Sequence, residues 1–186
     1  MLLFIEDNSS ELQYMLVHEV DRMSELIKQS GFDVRTVTLS GEILKTDSIS
    51  IKPDFKLSGV QIKDYAGFIM PCMASGDSTV TSEEIDFVKN IVKEGKPVAA
   101  QLGAVLILAK AGVLNGKKYA WADEEDENVN MFPAFKNGIY SGRGVVRDGL
   151  IITSGTCPMM AKMRGYQDGT DELTRTLIEV IKEKTK

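Results

Sequence analysis

Two rhythms of apolar and polar positions alternate along this chain. Met1 to Ile5 is an unbroken apolar run that stops at Glu6-Asp7-Asn8, the pattern of a strand buried on both faces. Leu12, Met15, Leu16, Val20, Met23 and Ile27 then recur at helical steps and predict an amphipathic helix. Ser10 and Gln13 have the spacing of a capping box at its start, and Gly31 supplies a left-handed residue at its end. Phe32 to Leu39 alternates as a second strand, and Ile49-Ser50-Ile51 reads as a short edge hairpin arm broken by Pro53. Tyr65 to Pro71 predicts a third buried strand. Thr81 and Glu84 form a second capping box, opening a helix with Ile85, Val88, Ile91 and Val92 inward and Gly95 at its end. Pro97 to Leu102 predicts a strand that Gly103 turns directly into a helix from Ala104 to Ala111.

Further on, Lys117 to Trp121 reads as a strand and Ala122 to Asn130 as an acidic loop. Ile139 to Val146 and Leu150 to Thr153 predict two strands joined at Arg147-Asp148-Gly149. A last helix over Asp171 to Lys184 buries Leu173, Leu177, Ile178 and Ile181. Strands alternating with helices imply an α/β fold, a mostly parallel sheet with helices on both faces. Function in such sheets gathers at the carboxyl ends of the strands. Glu6-Asp7-Asn8, Cys72-Met73, Leu102-Gly103 and Gly155-Thr156-Cys157 are all expected there. The pocket to look for is therefore lined by Glu6, Cys72, Met73, Leu102, Gly103, Thr156 and Cys157.

With 186 residues, 43% of them apolar, one domain over 1–186 is expected, large enough to be stable without disulfide or metal. A net charge of −5 with thinly spread basic residues argues against nucleic acid as a partner, because phosphates demand clustered Lys and Arg. Two cysteines do not make a secreted disulfide scaffold. No apolar run reaches the ~18 residues of a membrane span. Met1 to Ile5 is too short for a signal peptide and has no basic start, so the expected location is the cytoplasm.

These segments in this order resemble the ThiJ/PfpI superfamily, also called class I glutamine amidotransferase-like. The likeness is carried by Ser30-Gly31-Phe32-Asp33-Val34, Ile51-Lys52-Pro53-Asp54 with Leu57, and Asp64-Tyr65 leading to Pro71. It continues through Lys96-Pro97-Val98-Ala99-Ala100-Gln101-Leu102-Gly103, Ala111-Gly112-Val113-Leu114-Asn115-Gly116 and the hairpin from Arg147 to Ser154. The resemblance implies a flavodoxin-like three-layer sandwich and a homodimer. Typical members end the strand after Pro97 in a nucleophilic cysteine on a sharp strand-to-helix turn; Leu102 stands at that position here. The histidine that often assists would fall near Trp121-Ala122, where there is none. The glycine pair whose backbone helps stabilise an oxyanion aligns with Cys72-Met73. Spacing back from Gly31 matches Glu19 to the glutamate that hydrogen-bonds the cysteine in many members; an exposed helix charge is the other reading of Glu19.

Among the remaining groups, the single histidine, His18, reads as an ordinary helix residue. Cys72 and Cys157 read either as small buried hydrophobes or as a relocated nucleophile or redox pair; Pro158 after Cys157 leaves a helix start there unassured. Met70, Met73, Met159, Met160 and Met163 cluster around the cysteines and suit an apolar lining better than a Cu(I) site. Ser75-Gly76-Asp77-Ser78 and Gly155-Thr156 read as turns, and Asp123 to Glu127 as a solvated loop. No cofactor and no metal is expected. The leading expectation is a protein without the superfamily's cysteine-dependent hydrolase or deglycase activity that binds a small molecule or a partner at the strand tips. The alternative is a hydrolase, amidase or redox-responsive protein using Cys72 or Cys157 with Glu19.

Overall fold

The computed structural model describes residues 1–7, 9–72, 79–122 and 129–185. Asn8, Met73, the Ser75–Ser78 turn and most of the acidic run lie outside them. The strands are β1 (Leu2–Phe4), β2 (Arg35–Thr38), β3 (Leu44–Lys45), β4 (Ser50–Ile51), β5 (Phe55–Lys56) and β6 (Phe68–Met70). They continue as β7 (Val98–Gln101), β8 (Lys118–Tyr119), β9 (Ile139–Tyr140), β10 (Val145–Asp148) and β11 (Ile151–Ser154). Seven of them make one sheet in the order β10-β11-β7-β6-β1-β2-β5. Every pairing in it is parallel except that of β10 with β11. A level row Leu3, Ile69, Ala99 and Ile152 crosses its four central strands. The expected flavodoxin-like α/β sandwich is what the chain forms.

Strand alternation divides the core. Leu2, Phe4, Phe68, Met70, Val98 and Ala100 point to one face. There they meet α3 (Ser82–Lys93) and α4 (Val105–Lys110). Leu3, Ile5, Ile69, Ala99 and Ile152 point to the other face. That face is covered by the first helical segment and by the last helix, Thr170–Lys184. Both faces being dry explains why β1 and β6 read as continuous apolar runs rather than alternating ones.

The Thr81–Glu84 capping box forms with both of its hydrogen bonds. Gly31 takes φ 86°, with Gly31 N–H on the Lys28 carbonyl and Phe32 N–H on the Ile27 carbonyl, the paired bonds of a Schellman end. Three expectations need correction. The Ser10–Gln13 capping box does not form: α1 (Leu12–Met15) has Glu11 at its N-cap with no side-chain cap, and Ser9 Oγ accepts the Glu11 N–H instead. The segment 139–146 is two strands, β9 and β10, because the chain turns at Gly142 with φ 95°; β9 pairs parallel with β8 in a small separate sheet. A helix, α5 (Pro158–Arg164), fills a stretch where none was expected; α6 is the Thr170–Lys184 helix.

Candidate functional site

Four parallel strands deliver their carboxyl ends to one edge of the sheet. β6 ends in Pro71-Cys72 and β11 in Gly155-Thr156-Cys157. Opposite them, the first helical segment is interrupted by a π-helical turn at Leu16–Val20 before α2 (Asp21–Gln29) resumes. Such turns favour functional sites because the widened backbone re-aims a side chain. The turn carries Glu19, which is only 2% exposed. Its Oε2 accepts the Cys72 backbone N–H at 2.7 Å. The donor atoms of Glu19, Cys72 and Cys157 all lie within 4.8 Å of one another. Glu19 is therefore no exposed helix charge, and it falls at helical spacing from Leu16 and Met23, inside the apolar stripe; that was the signal in the sequence.

Neighbouring polar groups fix the Cys157 loop. Gln101, at the end of β7, donates from Nε2 to the Thr156 carbonyl (2.7 Å) and to Thr170 Oγ1 (2.9 Å). The Ser154 hydroxyl donates to the same carbonyl at 3.0 Å, and Thr156 Oγ1 donates to the Gln167 carbonyl at 2.8 Å. Gly155 lies against the Trp121 backbone so closely that a Cβ there would come within 2.5 Å of it. Cys157 is the N-cap of α5 and Pro158 its first residue. Pro158 thus starts a helix instead of preventing one, since the first helical position needs no N–H and favours proline's φ. Gln101 and Thr170 escaped the sequence reading because nothing in their spacing announces a contact sixty-nine residues apart.

Electrostatics separates the two thiols. Cys157 accepts a hydrogen bond from the Cys72 thiol, which brings its pKa down to about 7 against the opposing effect of burial; the Met160 and Met159 N–H groups assist. Cys72 is pushed well above the ordinary thiol range by donating to Cys157 and by burial, with the Gly103 N–H acting the other way. Glu19 is also held well above the usual carboxylate range, first by burial and then by the charge of Cys157. Of the two thiols, Cys157 is the one that ionises first.

Leu102 sits at the turn between β7 and α4 with φ 40°, the only non-glycine residue at positive φ among the described residues. For a branched side chain this conformation is strained. A cavity of about 20 Å³ lies at the thiols, lined by Glu11, Tyr14, Met15, Glu19, Cys72, Cys157 and Met159. That is space for about one water molecule. Of the residues expected to line a strand-tip pocket, Cys72 and Cys157 do. Gly103 does not line it, though its N–H acts to lower the Cys72 pKa. Glu6 is buried, Thr156 acts through its carbonyl, and Leu102 stands at the bend half-buried; none of these three lines the cavity. Tyr14 and Glu11 were not foreseen there. His18 is exposed, its ring 4.2 Å from that of Tyr14. Met70 is core and Met163 is 70% exposed, so of the described methionines expected around the cysteines it is Met159 that lines the cavity with them. As donors, two thiols and one carboxylate in mutual reach form a set that could hold a cation.

Residues 1–164 match the DJ-1/PfpI family. An uncharacterized protein of Archaeoglobus fulgidus is 28% identical over 131 residues, 69% of this chain and 75% of that one. Among solved structures, a ThiJ/PfpI domain protein from Brachyspira murdochii has a TM-score of 0.76 at 12% identity, covering 98% of this chain and 95% of that one. DJ-1beta of Drosophila melanogaster has a TM-score of 0.70 at 22% identity, covering 98% and 92%. Sheet order, strand-to-helix turn and family match agree, and this chain is a member of the DJ-1/PfpI family.

Proposed function

We propose that this family member is a redox-responsive thiol protein in which the elbow position, Leu102, is chemically silent and Cys157 with Cys72 carries the reactivity. The observation that carries the reading is the meeting of two buried sulfurs and a buried carboxylate within 4.8 Å at the strand tips. A leucine can neither attack nor transfer a proton, so hydrolase or deglycase chemistry at the elbow is absent. A drug-sized ligand takes a pocket of roughly 300–1,000 Å³; the cavity of about 20 Å³ suits a reactant the size of a hydroperoxide head and no more. At the thiols this favours a small oxidant over capture of a larger molecule.

In the proposed reaction the Cys157 thiolate attacks the terminal oxygen of a hydroperoxide. The O–O bond breaks, the sulfur becomes a sulfenic acid, and the departing alkoxide or hydroxide takes a proton. Cys72 then loses its proton and attacks the Cys157 sulfur, expelling hydroxide that leaves as water, and a disulfide remains. Glu19 is the buried acid within reach of both steps. A homodimer in the cytoplasm, with one domain per chain and no nucleic-acid partner, belongs to the same proposal; the net charge of −5 supports its last part. No helix among the described residues is long and apolar enough to cross a membrane.

Mass spectrometry of peroxide-treated, reduced protein tests the reading. The expected product is a Cys72–Cys157 disulfide; Cys72→Ser should instead accumulate a sulfenic acid on Cys157 that a cyclic 1,3-diketone labels. Two free thiols after treatment, with the protein still folded, would sink it.

A further inference from the structure

We propose that Glu19, Cys72 and Cys157 form a binding site for one thiophilic d10 cation, Zn²⁺ in particular. The site shares its residues with the redox reading but does not depend on it.

Three observations converge. The donor atoms come from three separate elements, the π-helical turn, the end of β6 and the N-cap of α5, yet lie within 4.8 Å of one another. All three residues are buried, at 2%, 8% and 2% exposure. A cavity of about 20 Å³ opens onto each of them, with Met159 and Tyr14 completing its wall. Cation sites need such a space with convergent donors, and a fixed supporting shell. That shell is present. The Glu19 carboxylate is oriented by the Cys72 N–H at 2.7 Å. The Cys157 loop is held by Gln101 Nε2 and the Ser154 hydroxyl, both donating to the Thr156 carbonyl.

The donor set selects the ion. Two sulfurs exclude hard cations such as Mg²⁺ and Ca²⁺, which take oxygen. Sulfur with carboxylate oxygen suits tetrahedral Zn²⁺, leaving a fourth position toward the cavity for water, the arrangement of an open site. Cu(I) prefers sulfur alone and would not need Glu19. Both thiols and the carboxyl bind deprotonated, so affinity falls in acid.

Chelator-treated, reduced full-length protein is titrated with Zn²⁺ against a chromophoric chelator, and with Cd²⁺ while the ultraviolet thiolate-to-metal absorption is followed. One equivalent per chain is expected. Cys72→Ser and Cys157→Ser should each weaken binding at least 100-fold and Glu19→Gln about 10-fold, within the range for losing a donor or its support. In unmutated protein, saturating Zn²⁺ should also slow alkylation of both cysteines, a readout that needs no variant. Absence of the Cd²⁺ band, or Zn²⁺ binding equal in the double serine variant, overturns the site. Cu(I) binding that ignores Glu19→Gln while Zn²⁺ fails to bind overturns the assignment of the ion. Peroxide-driven disulfide formation in the same preparations keeps the two readings apart: a disulfide without Zn²⁺ binding removes only the metal site, and Zn²⁺ binding without a disulfide removes only the redox reaction.

Discussion

At the scale of single residues, the thiol of Cys72 and the N–H groups of Met159 and Met160 hold Cys157 as a thiolate near neutrality. In metal-free protein its alkylation rate should reach half its plateau near pH 7. Cys72→Ala removes the leading donor, so the midpoint should move up toward the ordinary thiol value of about 8.5; a midpoint that stays put would show that Cys72 does not set it. Glu19 supports the Cys72 N–H in a buried setting. Glu19→Ala orphans that donor and should cost about 1–3 kcal/mol, whereas Glu19→Gln keeps an acceptor and should cost less, as denaturant unfolding can measure. Leu102 offers a backbone test. Leu102→Ala and Leu102→Gly lose the same packing beyond Cβ, but only glycine relaxes at φ 40°. The glycine variant should be the more stable of the two by about 1 kcal/mol, the reverse of the usual order.

Elements add what single residues cannot. The hairpin β10–β11 is tied to β8 by Asp148, which accepts the Lys118 N–H and the Lys117 ammonium, both at 3.0 Å. These partners hold its carboxyl below the usual range. Its contribution is therefore complete above the unfolded value of about 3.9 and is lost as pH falls through the lower folded value. Asp148→Asn should cost about 1 kcal/mol at pH 7, discounted for partial exposure. The gap from the parent protein should close as pH drops below about 3.9 in urea titrations. Much of the element layout was legible in the sequence because its signals are local. Thr81 and Glu84 cap α3 as their spacing says, and Gly31 ends α2. Ser10 failed because Glu11 took the N-cap position, one residue further along. The π-helical turn left no mark, since a wider turn differs from an ordinary one in hydrogen bonding rather than in apolar period. Pro158 carries the signal of a first-turn proline, although its place after Cys157 left a helix start there unassured from sequence alone.

For the molecule as a whole, the site is a product of parallel topology. Cys72 and Cys157 stand far apart in sequence and meet because β6, β7 and β11 run the same way side by side. Fold class and strand tips were readable from periodicity; the meeting of the sulfurs was not, because it depends on strand order and on the Gln101–Thr156–Thr170 contacts. Joining Cys72 to Cys157 would close a long loop across the sheet's centre. The oxidised protein should thus be more stable than the reduced form by about 2–4 kcal/mol, reversibly with a dithiol reductant, as paired thermal melts would register.

The backbone amide of Gly103, one residue past the sharp bend, acts to lower the pKa of the Cys72 thiol. A thiol introduced by Leu102→Cys would consequently enter a neighbourhood already occupied by another sulfur. It would arrive as a rival for that donor, and strengthening one sulfur would loosen the other.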